Sequence, residues 1–246
     1  RGFIDKTGKQ VVPCVYDYAY SFSEGLALVE LNGKRGFIDK TGKQVIPCVY
    51  DLAWNFSEGL AHVALNGKWG FIDKTGKQVI PCVYDDTGNF SEGLAGVALN
   101  DKVGFIDKTG KQVVPCVYDD AWDFSEGLAR VQLYAKYGLG KYGFIDKTGK
   151  QVIPCVYDFA GNFSEGLAGV ALNGKEGFID KTGKQVIPCV YDYAFSFSEG
   201  LAHVALNGKW GFIDKTGKQV VPCVYDDAWN FSEGLAGVEL NGKEGF

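Results

Sequence analysis

Methionine is absent from this chain of 246 residues, histidine occurs only twice, and no long apolar run interrupts the sequence. Each shortage excludes something. No run approaches the ~18 apolar residues of a membrane-spanning helix, so membrane insertion is not expected. Two imidazoles leave little material for a Ser/His/Asp constellation, and none can be assembled from the spacing. There is no block of one charge: 25 basic and 30 acidic residues are interleaved for a net charge of -5, which lacks the basic stripe of a nucleic-acid footprint. No Cys-x-x-Cys pair or nearby Cys/His cluster is present, so neither a metal nor a cofactor is expected. The start Arg1-Gly2-Phe3 lacks the charged-then-apolar order of a signal sequence. With no methionine and a first residue inside a repeat, the chain reads as an excised or processed segment.

What is present is repetition. The block Gly2-Phe3-Ile4-Asp5-Lys6-Thr7-Gly8-Lys9-Gln10 returns at Gly36, Gly70, Gly104, Gly143, Gly177 and Gly211, and begins again at Gly245. The period is about 34 residues, with one longer step where Tyr134 to Lys141 replaces a short Asn-Gly link. The whole of 1–246 therefore reads as one tandem-repeat domain of seven units. With 46% apolar residues it has enough material for a substantial core.

One unit shows the logic. Ala27, Val29 and Leu31 recur in kind while positions 28 and 30 vary, the period of two expected for a strand. Asn32-Gly33 is a hairpin signal, because both residues tolerate the positive φ of a type I′ turn. The pairing it dictates sets residue 28 against Phe37 and Val29 against Gly36. Asp39-Lys40-Thr41-Gly42 reads as a second turn. A third strand follows at Gln44-Val45-Ile46 and is expected either to stop at Pro47, which cannot donate to a ladder, or to lie on a sheet edge. Asn55-Phe56-Ser57-Glu58-Gly59 resembles a capping box followed by a single helical turn.

The fold class expected is all-β: seven antiparallel meander repeats burying their fixed faces against each other. A propeller-like ring is preferred over an open β-superhelix or solenoid. The first unit lacks its opening strand, Leu235 to Leu240 supplies a surplus one, and pairing the two would seal the ring. A four-stranded blade fits within so short a repeat only if the variable stretch before the capping turn supplies the fourth strand.

The segment Lys68-Trp69-Gly70-Phe71-Ile72-Asp73-Lys74-Thr75-Gly76-Lys77, with Phe90-Ser91-Glu92-Gly93-Leu94-Ala95 downstream, resembles the bacterial WG (or KWG) β-repeat family over essentially the whole chain. Only Trp69-Gly70 and Trp210-Gly211 keep the Trp-Gly pair itself. The resemblance implies a β-repeat module with an interaction-related role and no catalytic residues to carry over.

Candidate sites follow from where the units differ. Tyr20, Trp54, Trp122, Phe195 and Trp229 share one position before the capping turn, interrupted by Gly88 and Gly161. Aromatics on a β-surface suit protein partners or sugar rings. His62 and His203 share a strand position beside Trp69 and Trp210, and read as surface packing residues that join the same candidate binding set. Cys14, Cys48, Cys82, Cys116, Cys155, Cys189 and Cys223 occur once per unit and read as small buried hydrophobes, with a redox or soft-metal ladder as the sharper alternative. The Asp-Lys-Thr-Gly copies share the start of a phosphorylated ATPase motif but read as turns, and the sequons at Asn55, Asn89, Asn162 and Asn230 read as caps.

The function expected is a non-catalytic scaffold for protein–protein interaction, self-association included, with a lectin-like carbohydrate binder as the alternative. Free thiols suit a reducing, cytoplasmic compartment. Sequons and extreme repetition equally suit a cell surface, which leaves the localisation open.

Overall fold

The protein is described as a computed structural model over residues 1–134 and 140–245. The centre of the longer step, 135–139, lies outside the described residues, as does 246. The chain falls into two compact units, Arg1–Val117 and Tyr118–Phe246. Among the described residues every regular element is a strand.

The first unit opens with the pair Phe3–Ile4 and Gln10–Val12, then builds three four-stranded antiparallel meanders in chain order. The first contains Tyr18–Ser23, Leu26–Leu31, Lys34–Asp39 and Gln44–Tyr50; the second Leu52–Ala53, Leu60–Leu65, Lys68–Asp73 and Gln78–Tyr84; the third Asp86–Ser91, Leu94–Leu99, Lys102–Asp107 and Gln112–Tyr118. The second unit repeats the plan with Asp120–Ala121, Leu128–Leu133, Lys141–Asp146 and Gln151–Tyr157; Phe159–Ala160, Leu167–Leu172, Lys175–Asp180 and Gln185–Tyr191; and Tyr193–Ala194, Leu201–Leu206, Lys209–Asp214 and Gln219–Tyr225. It ends in a three-stranded sheet of Asp227–Ala228, Val238–Leu240 and Lys243–Gly245. The variable stretch is thus the opening strand of each sheet, which is how a four-stranded meander fits within so short a repeat.

The Asn-Gly hairpins adopt the expected register, with His62 opposite Phe71 and Val63 opposite Gly70. In the Asp-Lys-Thr-Gly turns one carboxylate oxygen of Asp39 accepts from the Thr41 amide at 2.9 Å, the Thr41 hydroxyl at 2.6 Å and the Lys43 amide at 3.1 Å. The folding role expected for that motif is therefore the one it has.

The strand after the second turn does not stop at proline but takes the edge position that was the alternative: Gln44–Tyr50 runs through Pro47 on the edge of its four-stranded sheet, with a register irregularity between the pairs Arg35–Tyr50 and Phe37–Ile46. Gly36 makes this possible, since a Cβ there would stand 2.5 Å from the Ile46 carbonyl oxygen. The Asn-Phe-Ser-Glu-Gly segment is not a helix cap. Ser57 and Leu60 exchange both backbone hydrogen bonds around Glu58 and Gly59, whose φ angles of 50° and 87° make a tight hairpin turn. The surplus strand does not hydrogen-bond to the opening strand of the chain either: among the described residues Val238–Leu240 pairs with Asp227–Ala228 and Lys243–Gly245, and Phe3–Ile4 pairs with Gln10–Val12.

The tight turn explains its glutamate. A non-glycine residue with positive φ costs on the order of 1 kcal/mol, and here the side chain gains a partner in the next sheet. Glu24 Oε2 accepts from the Gly59 amide at 3.1 Å and pairs with Lys74 at 2.9 Å. Glu165 does the same with Gly200 and Lys215. Beside each clamp the Ser23 and Ser164 hydroxyls donate to the carbonyls of Phe56 and Phe197.

Successive sheets within a unit pack face to face. Leu26, Leu28, Phe37 and Ile46 of one sheet meet Ala53, Phe56, Ala61, Val63 and Ile72 of the next, with the Phe37 and Phe56 rings edge-on at 4.9 Å. Leu167, Phe178 and Ile187 meet Phe197, Ala202, Val204 and Ile213 in the same way. The second strand of a sheet is therefore covered on both faces. Leu26 to Val29 are buried in succession rather than alternately, because stacking places a neighbour on each side.

Candidate functional site

The position shared by Tyr20, Trp54, Trp122, Phe195 and Trp229 lies at the end of, or just beyond, the opening pair of each sheet. Trp54 is 54% exposed, Phe195 48% and Trp229 46%; Tyr20 is also exposed and Trp122 half-buried. Two residues earlier, on the same face by strand alternation, stand the exposed side chains Tyr18, Leu52, Phe159 and Tyr193. That second row was not singled out from the sequence, although the period of two would have found it.

The variable positions on the second strand differ from expectation. His62 and His203 are 7% and 6% exposed, so they are buried beneath the aromatics, not surface residues. His62 lies between Trp54, at 6.0 Å between ring centroids, and Trp69, at 5.4 Å. His203 stacks on Phe195 at 4.4 Å and 12°, with Trp210 at 5.5 Å. His62 Nδ1 is 3.1 Å from both the carbonyl and the hydroxyl oxygen of Thr87 in the following sheet, and its Nε2 has no hydrogen-bond partner. Burial depresses its pKa to about 4 against the favourable influence of Thr87 and Asp86, and burial likewise lowers that of His203. Both rings are neutral near pH 7 and brace aromatics from below.

In the second unit the junction between the first two sheets holds a guanidinium. Arg130 lies over the Trp122 ring at 3.8 Å, with Tyr142 at 5.7 Å and Phe159 at 5.9 Å, and its Nη1 donates to the carbonyl of Ala160. Burial lowers the Arg130 pKa. The next junction is hollow. Gly161 stands where Trp122 does, Gly169 where Arg130 does and Glu176 where Tyr142 does. A cavity of about 270 Å³ opens there, lined by Phe159, Tyr193, Phe195, both glycines and Glu176. Glu176 Oε2 accepts from the Ala194 amide at 2.6 Å, and burial pushes its pKa up.

Two further cavities share these walls. One of about 280 Å³ lies among Phe195, His203, Trp210 and Trp229; the other, about 410 Å³, is lined by Tyr193, Trp210, Asp192 and Gly208. Tyr193 and Phe195 thus border a continuous aromatic surface. Asp227 and Asn230 also line the cavity that holds His203. Asp192 Oδ1 is held by Lys175 and its Oδ2 by the Gly208 amide.

The thiols are half-buried rather than buried, and Cys14 is exposed; all seven are free. Each of the six half-buried ones has its pKa raised by desolvation, as at Cys189, where the Gln185 amide contacts the sulfur at 3.3 Å. Among the described residues no group of three or more His, Cys, Asp or Glu is placed to hold a metal ion. No helix of the described residues is long and apolar enough to cross a membrane.

Fold and surface together define an all-β protein built from tandem antiparallel meanders. The chain belongs to the WG containing repeat family, whose model matches residues 2–34, 36–69, 69–102, 104–137, 142–175, 177–210 and 210–243. No curated protein matches it. Solved structures similar to it include Kluyveromyces lactis Hsv2, at 10% identity over 78% of this chain and 70% of that one with a TM-score of 0.46. The AfRom2 CNH domain is similar at 9% identity over 93% and 92% with a TM-score of 0.39. Dihydro-heme d1 dehydrogenase NirN is similar at 14% identity over 80% and 54% with a TM-score of 0.44.

Proposed function

We propose that the chain is a non-catalytic repeat scaffold that binds protein partners through the aromatic surface around Tyr193, Phe195 and Trp229. One observation carries this reading: each of three cavities has one or two of those exposed rings in its wall, on sheets whose invariant residues are committed to packing and turns. Rigid aromatics offer large contact area at modest entropic cost, which suits a protein interface. The neutral buried histidines and the thiols with raised pKa supply no activated nucleophile, which favours binding over catalysis. A sugar would need polar groups beside the rings: both oxygens of Asp192 are engaged, whereas Glu176, Ser196, Asp227 and Asn230 line the other two cavities, and the test below includes the carbohydrate alternative.

The test is selection of a displayed random-peptide library on the full chain, in parallel with a glycan array. Enriched peptides should lose binding to the variant Tyr193→Ser/Phe195→Ser/Trp229→Ser while its circular dichroism is unchanged. Equal binding to that variant, or retention of glycans and not peptides, would overturn the reading. A second copy of the chain as partner would register as concentration-dependent mass in light scattering, lost in the same variant.

A further inference from the structure

We propose that the hollow junction between the sheet opened by Phe159–Ala160 and the sheet opened by Tyr193–Ala194 is a socket for an arginine side chain presented by a protein partner. The inference rests on the protein-binding reading above and names the chemistry of one contact.

The chain supplies its own template one repeat earlier. The Trp122 amide donates to the Arg130 carbonyl at 3.0 Å, and the Gly161 amide donates to the Gly169 carbonyl at 2.8 Å. The backbone frame is the same in both junctions, and what differs is the side chains upon it. At the first junction a guanidinium fills the space, flanked by rings and bonded to the Ala160 carbonyl. At the second, the residue that would supply that guanidinium is Gly169, and a Cβ built there would lie 3.6 Å from the Ala194 carbonyl oxygen, the equivalent acceptor. The room that Arg130 and Trp122 fill in one junction is open in the other.

The charge of the open junction points the same way. Glu176 replaces the neutral Tyr142, so the cavity holds a half-buried carboxylate in place of a phenol. Among the described residues no basic side chain pairs with Glu176; its one hydrogen bond comes from the Ala194 amide. A carboxylate drawn out of water without a cation is unfavourable, and a guanidinium entering from outside would meet it while lying against the faces of Tyr193 and Phe195. The flat walls and the chain's own use of arginine at the equivalent place select a guanidinium over the compact ammonium of lysine.

The probe is the peptide acetyl-Gly-Gly-Arg-Gly-Gly-amide, titrated into the isotopically labelled full chain and followed by amide chemical shifts. Saturable shifts are expected at Gly161, Gly169 and Ala194. The isosteric citrulline peptide, which lacks the charge, should bind about tenfold more weakly, and the lysine peptide several-fold more weakly. Glu176→Gln should weaken binding by about fivefold or more. Gly169→Arg should abolish it while keeping the fold, because its Cβ meets only ordinary contacts and its guanidinium can occupy the socket from within. Equal binding of the citrulline or lysine peptide, absence of shifts at the three amides, or undiminished binding to either variant would each overturn the proposal. Library peptides that lack arginine yet need Phe195 would leave the protein-binding reading standing and sink this one alone; an aromatic surface that selects nothing would sink that reading separately.

Discussion

Glu165 reaches from its own tight turn to the amide of Gly200 in the next sheet, with Oε2 3.1 Å from the nitrogen. It does so from a backbone conformation that only glycine adopts freely, with φ at 53°. Local strain and a contact 35 residues away are therefore balanced in one residue.

This balance separates two substitutions. Glu165→Ala loses the clamp and keeps the strained conformation; Glu165→Gly loses the clamp and relieves it. Glu165→Ala is expected to be the less stable of the two by about 1 kcal/mol. Urea denaturation of both variants checks the order, and equal midpoints would refute it.

His62 makes the fold sensitive to mild acid. Its pKa falls from 6.5 to about 4 on folding, so the unfolded chain takes up the proton first as pH drops. The stability contributed by the neutral ring is complete above pH 6.5 and is lost progressively as pH falls toward 4, by roughly 3 kcal/mol in total. His203, lowered in the same direction, adds to the slope. The slope between pH 6.5 and 4 should flatten in the double variant His62→Gln/His203→Gln, and NMR should show the His62 ring uncharged at pH 5. A protonated ring at that pH would contradict the burial argument.

Two glycines eight residues apart, Gly169 and Gly177, should respond oppositely to alanine. At Gly177 a Cβ would stand 2.5 Å from the Ile187 carbonyl oxygen and 2.6 Å from the Pro188 backbone, neither of which can turn aside. Gly177→Ala is expected to cost more than about 2 kcal/mol. At Gly169 the nearest atoms are 3.6 and 3.7 Å away, and alanine should be tolerated with little change. Thermal unfolding of both variants decides the matter.

What could be read from the sequence was what is encoded locally. The Asn-Gly turn fixes its own hairpin, so the opposition of His62 and Phe71 followed from counting residues. The Asp-Lys-Thr-Gly turn was equally local. The Ser-Glu-Gly segment is locally ambiguous, because a cap and a tight hairpin draw on the same polar residues, and the partner that distinguishes them, Gly59 for Glu24, lies in another repeat. The burial of His62 was hidden for a related reason: alternation separates the two faces of one sheet but is silent on whether a second sheet covers the outer face. The glycines at Gly88 and Gly161 were visible only as gaps in an aromatic set. That Gly161 opens a hollow depends on Gly169 and Tyr193, which come together only when sheets stack.

The matching frames at Trp122 and Gly161 carry a broader implication. A duplicated module that holds its course whether the junction carries an indole and a guanidinium or two hydrogens has separated architecture from recognition. Copies of it can diverge at the seams like tiles cut to one outline and glazed differently, each change altering what the surface greets without renegotiating how the next tile is laid.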